Sequence, residues 1–361
     1  MLRKWSFLWI ALVLLCTGWL PAARAWAHTD NSEGFSTITA EQGRLSYELM
    51  LDYFELGRVV TLDARAEQSE GELLELLRQH KQEVADYVRT HLHIYVDGEE
   101  AAGELGEMSL VSKLGRYYAD LRLTYPNAAH AGGIEVTYAI FFDDNDSLHR
   151  NIAAYRWGGQ EGQFVFTGSD REMELGKTWV IGQAWRFIQL GFHHIMIGLD
   201  HILFVAALVL TSRDFRSVLK TATVFTLAHS VTLGLSAFRV VEVPPAIVEP
   251  LIALSIAYVA LEAYFLNGGK ARPFVVFGFG LVHGIGFAGA LSLTGAFKAS
   301  SLLSLGAFNI GVEFGQLLII ALLFPLLLLI RKFDWARPLQ AAAIACVFVF
   351  GMIWYVERIM A

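Results

Sequence analysis

After Lys177 the sequence becomes a succession of long apolar runs. A run that crosses a hydrocarbon layer of ~30 Å needs about 20 helical residues. Six runs reach that length, at about 184–210, 217–238, 246–266, 274–296, 302–330 and 338–356. A membrane interior offers no water to satisfy backbone N–H and C=O groups, so each run is expected as a helix. The connections are short, and the predicted architecture is a compact bundle of six transmembrane helices.

Composition agrees with this reading. Of 361 residues 55% are hydrophobic and 17% charged, and the mean hydropathy of +0.44 is too high for a soluble globule. The average conceals two unlike halves. Residues 28–180 carry 27 Asp/Glu against 13 Lys/Arg, whereas residues 181–361 carry 8 against 12. The formal net charge of −7 speaks against a nucleic-acid partner. Only Cys16 and Cys346 occur, too few for a thiolate metal cluster.

The N-terminus reads as a secretory signal peptide: Arg3 and Lys4, an apolar stretch from Trp5 to Leu20, then an Ala-x-Ala site ending at Ala27. Residues 1–27 are therefore expected to be removed, which makes His28 the mature N-terminus. Residues 28–180 form an extracytoplasmic domain and residues 181–361 the membrane domain. Arg213, Arg216 and Lys220 follow the first run, Lys270 and Arg272 the third, and Arg331, Lys332 and Arg337 the fifth, all at one side of the six runs. By the positive-inside rule that side is cytoplasmic. The resulting topology is multi-pass in the inner or plasma membrane, with both the first domain and the C-terminus outside.

Between Phe35 and Glu174 the hydrophobic period is mostly two. Arg44–Leu51, Leu92–Val96, Ala119–Tyr125, Gly133–Phe142, Ile152–Trp157 and Gln163–Thr167 are the predicted strands, and Glu70–Thr90 is a predicted helix. This pattern describes a small, mainly β, sandwich-like domain with a helical insertion.

Ionisable groups cost about 2.5–3.5 kcal/mol each at the centre of a membrane helix and persist mainly where they pair or line a site. The apolar runs contain many: His193, His194, Asp200 and His201 in the first, His229 in the second, Glu249 and Glu262 in the third, His283 in the fourth, Asn309, Glu313 and Gln316 in the fifth. His194 and His201 are two turns apart, so on a straight helix both share one face, about 10 Å apart along the axis. Gly198 lies between them on that face and leaves room for an ion or another helix. Asn309, Glu313 and Gln316 form one polar stripe. Imidazoles with oxygen donors and no thiolate suit divalent ions such as Ni²⁺, Co²⁺, Zn²⁺ or Fe²⁺. The expected ligands are His194, Asp200, His201, His229, His283 and Glu313, with His193, Gly198, Glu262, Asn309 and Gln316 lining the pathway.

The segment His194-Ile-Met-Ile-Gly-Leu-Asp200-His201 resembles the His-Pro-x-x-Gly-x-Asp-His signature of the HupE/UreJ family, with Ile195 in place of Pro. Phe225–Thr232, Phe279–Phe287 and Phe308–Gln316 are similar to further motifs of that family's larger branch, in which a secreted domain precedes the membrane part. The resemblance implies a nickel or cobalt permease that accompanies metalloenzyme systems; the partners expected are the lipid bilayer, the metal ion, and either a second copy of the chain as a homo-oligomer or metalloenzyme maturation partners.

Two other functions fit the same residues. An intramembrane metal-dependent enzyme would use three ligands, an open position for water, and Asp200 or Glu313 as base. A metal-capture or accessory protein would act through its extracytoplasmic domain, by copper at a His28 N-terminus or by His91 and His93 on one strand face. The Asp143-Asp144-Asn145-Asp146 run reads as a turn rather than a Ca²⁺ loop. No Gly-x-x-x-x-Gly-Lys-Ser/Thr motif occurs in the chain.

Overall fold

The computed structural model describes residues 32–41, 44–62, 68–113, 116–126, 132–175, 180–212, 214–238, 240–241, 243–265, 272–287 and 299–360. The predicted signal peptide and His28 lie outside them. The chain forms two compact units, Asp30–Gln189 with Gly289–Phe308, and Leu190–Ala288 with Asn309–Ala361.

The first unit is β-rich. Its larger sheet contains β1 (Glu33–Glu41), β2 (Arg44–Asp52), β5 (Glu104–Lys113), β6 (Arg116–Pro126), β8 (Arg150–Trp157) and β9 (Gln160–Phe166), in the order β5-β6-β2-β1-β8-β9. β1 and β8 are parallel and the remaining neighbours antiparallel. The smaller sheet runs β10 (Glu172–Glu174), β7 (Ile134–Tyr138), β3 (Leu92–Val96), β4 (Glu99–Glu100). Period-two alternation places Leu45, Tyr47, Leu49 and Leu51 of β2 inward. They share one core with Ile94, Ile134, Val136 and Tyr138 of the other sheet.

Three helices accompany the sheets: α1 (Tyr53–Val59), α2 (Glu70–Gln79) and α3 (Lys81–His91). The single predicted helix over 70–90 is thus two, parted at His80. α2 starts in a capping box between Ser69 and Glu72, and Leu73, Leu77, Val84 and Val88 fill the core.

Two expectations fail here. His91 ends α3 while His93 lies on β3, so they share no strand face. The His91 ring meets Tyr87 O and Asp144, and the His93 ring meets Glu100 and Thr90 O. The predicted strand 133–142 stops at Tyr138, because Phe141 turns to φ 68° and its carbonyl accepts the N–H groups of Asp144, Asn145 and Asp146. The acidic run is a turn, as read. Asp143 holds Arg171, Asp144 accepts from Tyr87, Asn145 donates to Glu55, and Asp146 accepts from Ser32. Beside it His149 is fully buried between Ser32 Oγ (2.7 Å) and Tyr138 Oη (2.9 Å). Burial pushes its pKa down to about 4, against the opposing pull of Asp146.

The apolar helices are α4 (Val180–Ile197), α5 (Leu199–Thr211), α6 (Phe215–Ala237), α7 (Pro245–Phe265), α8 (Arg272–Phe287), α9 (Ala299–Ile330) and α10 (Ala336–Met360). Four of them, α6, α7, α9 and α10, are long and apolar enough to cross a membrane. α4 and α5 together would make a fifth, bent by 72° at Gly198. Among the described residues, four or five of the six expected spans are thus present by length and composition. α8 is shorter than a span, and residues 288–298 of the expected fourth run lie outside those described.

Glycines set the closest helix contacts. A Cβ at Gly280 would stand 2.5 Å from Phe225 O and 2.8 Å from Ala228 Cβ. One at Gly284 would overlap His229 O and Thr232 Oγ1. α8 therefore lies against α6 through a Gly-x-x-x-Gly surface. Gly351 of α10 similarly meets the backbone of α7 at Ala257.

Candidate metal centre

Three imidazoles converge inside the second unit. One nitrogen each from His194, His201 and His229 lies within 4.8 Å of the other two. The His194 and His201 ring centroids are 4.6 Å apart, far closer than two turns of straight helix allow. The cause is Gly198. It caps α5 in an extended conformation (φ −67°, ψ 99°) and breaks the run, so the two histidines meet across a bend instead of sharing one face. The helix continues unbroken through Ile195, where the family signature has Pro, and bends three residues later.

Hydrogen bonds fix which nitrogen His201 and the adjacent His283 present. Asp200 Oδ1 accepts from His201 Nδ1 (3.1 Å) and from the His201 backbone N–H (2.9 Å). The buried Nε2 of His201 is left without a hydrogen bond. Asp200 thus holds the His201 ring in orientation. At His283, Ser255 donates its single hydroxyl proton to Ile252 O (2.6 Å) and must accept from His283 Nε2 at 2.9 Å. Nδ1 of His283 is then a buried, bare acceptor. This ring lies 5.4 Å from that of His201, within reach as a fourth donor although outside the group of three. Neither ring nitrogen of the fully buried His229 makes a hydrogen bond of ordinary geometry, and Asn309 of α9 stands beside that ring. Buried imidazole nitrogens left this way are costly unless something else takes their lone pairs.

The remaining predicted residues are placed otherwise. Glu313 does not join the histidine group; its Oε1 accepts from Thr223 Oγ1 (2.7 Å). Gln316 is buried and accepts from Thr226 (3.0 Å), so the polar stripe of α9 is largely spent on α6. Glu262 faces Arg272, and His193 is exposed beside Phe192. Sequence reasoning missed Ser255 and the two threonines as partners, since hydroxyls in apolar runs usually bond their own helix. The Gly280-x-x-x-Gly284 spacing was the available signal for the α6–α8 approach.

A family model described as HupE / UreJ protein matches residues 170–358. The chain belongs to the HupE/UreJ family. No individual curated protein matches it. The matched region contains every helix of the histidine centre, and family membership associates the chain with a nickel- or cobalt-related membrane role.

Proposed function

We propose that this HupE/UreJ protein is a permease for a divalent transition metal ion, nickel or cobalt in keeping with its family. The observation that carries the reading is the convergence of His194, His201 and His229, with His283 adjacent, at a buried point among apolar helices. The ion would shed water, bind these imidazoles, and leave toward the basic connections, which this reading puts in the cytoplasm. Asp200 would support through His201, and the β-rich domain would face outward. In this reading Asp200 and Glu313, expected from the sequence as ligands, act around the centre, through His201 and Thr223.

His201→Ala and His229→Ala should each reduce metal accumulation by cells to background while inserted protein stays near wild-type yield. Normal accumulation in either variant would remove that residue from the site. A tripod of histidines also describes a metalloenzyme centre with one open position. Stoichiometric metal that survives purification, with no flux in vesicles, would favour that reading over a permease.

A further inference from the structure

The histidine centre is one tier of three along the same helix faces. On α5, His201, Phe204, Leu208 and Thr211 succeed one another at spacings of three or four residues. On α8 the series from the other end is Arg272, Val276, Phe279 and His283. On α6, Phe225 is one turn from His229, and on α7, Glu262 is two turns from Ser255.

The second tier is aromatic. Phe204 stacks near Phe225 (4.7 Å between centroids), Phe279 (6.4 Å) and His283 (5.4 Å), and Phe225 also touches the His283 ring at 5.0 Å. Leu208, Val259 and Val276 continue this layer as a buried apolar cluster.

The third tier is ionic. Arg272 Nε lies 3.9 Å from Glu262 Oε2, and both residues are only 7% exposed. Neither of these two atoms makes a hydrogen bond. The guanidinium turns its Nη2 to Thr211 Oγ1 and the Leu208 carbonyl instead. Nearby, Arg331 and Gln340 donate to the Ser212 and Leu210 carbonyls, so three side chains clasp the end of α5. A buried ion pair offsets the desolvation of its charges only with close, hydrogen-bonded geometry. This pair lacks it, so stability is a poor account of why both charges are there.

We propose that Glu262 is a second divalent-cation station on the pathway, occupied by Arg272 as a tethered stand-in, and that the Phe204–Phe225–Phe279 layer is the apolar barrier between it and the histidine centre. This rests on the permease reading. An ion that passes the phenyl layer displaces the guanidinium from Glu262, and Arg272 retains Thr211 and Leu208 O as alternative partners. When the ion departs, the guanidinium returns and closes that end.

The test uses full-length protein with Ni²⁺ as probe, equilibrium binding in detergent and flux in proteoliposomes. Glu262→Gln, nearly isosteric, should keep Ni²⁺ affinity at the histidine centre within about threefold while flux falls at least tenfold. Arg272→Gln should expose a second, weaker Ni²⁺ per chain, and the double variant should return to one. Wild-type flux in Glu262→Gln, or a single Ni²⁺ in folded Arg272→Gln, would overturn the proposal. Wild-type protein that binds Ni²⁺ without moving it would sink the permease reading instead, and the stoichiometry of Arg272→Gln would still decide the Glu262 station.

Discussion

Gly284→Ala tests whether the α6–α8 approach builds the centre. The added methyl would sit 3.0 Å from the His229 carbonyl carbon and closer still to His229 O and Thr232 Oγ1. Backbone atoms cannot swing aside as a side-chain tip can, so α8 has to withdraw by about 1 Å to restore ordinary contact near 3.5–4.0 Å. Overpacking of this kind costs about 1–3 kcal/mol. The larger effect is on function: His283 is the neighbour of Gly284 and His229 lies directly opposite, so both rings move apart. Loss of ligand support typically lowers metal affinity about 10- to 100-fold, and a drop in that range is expected in equilibrium Ni²⁺ binding. Gly278→Ala is the internal control. It lies on the same helix with nothing within 4 Å of its Cβ position, and should bind normally with stability equal or raised by up to about 1 kcal/mol. Equal affinities for the two variants would refute the argument that helix approach sets the site.

Gly198→Ala should lower metal affinity at least tenfold with unchanged membrane insertion, because its Cβ would stand 2.7 Å from His201 Nδ1 and 3.1 Å from Asp200 Oδ1, inside the hydrogen bond that orients His201; full affinity in a titration would count against that role for Asp200. In the β-rich unit, His149 has its pKa lowered from 6.5 to about 4, so the folded state favours the neutral ring. Its stabilising contribution is complete above pH 6.5 and is lost as pH falls toward 4, at most about 3 kcal/mol. Proteolysis of full-length protein between pH 7 and 4 should show this loss, and a His149→Phe variant with the same pH profile would exclude His149 as its source. Cysteines placed at 216 or 332 should be protected from an impermeant thiol reagent added outside cells, whereas one at 240 should react; the reverse pattern would invert the topology.

The sequence shows some of this structure and hides the rest for identifiable reasons. β2 is legible because one of its faces is buried, so Leu45, Tyr47, Leu49 and Leu51 alternate with polar residues. β5 was missed because it is an edge strand in which only Met108 and Leu110 are buried, with a register shift between Leu105 and Met108. β1 was missed because Ser36, Thr37 and Thr39 weaken its apolar alternation. The four histidines were legible as residue types at odds with their apolar surroundings. Their separation was not: glycine within an apolar run is compatible with continuing helix, and only tertiary packing shows that Gly198 bends by 72° and brings His194 to His201. The partner of Glu313 was hidden for the same reason, because which face of α9 meets Thr223 depends on helices far apart in sequence.

The chemistry of the centre bears on whether an ion is kept or passed on. Structural zinc sites use thiolates, which cancel the charge of the ion as they bind it. Here the donors in reach are neutral imidazoles, and the nearest carboxylate, Asp200, acts through the far side of His201. A divalent ion on His194, His201 and His229 would therefore keep much of its charge within an apolar surrounding, where uncompensated charge is expensive. Protons compete for the same nitrogens, so occupancy falls as pH drops. Fixed tautomers at His201 and His283 offset the weak charge compensation, since their lone pairs are already aimed before the ion arrives and little ordering remains to be done on binding. Under the permease reading proposed above, a centre organised in this way would take up an ion with little rearrangement of its own side chains.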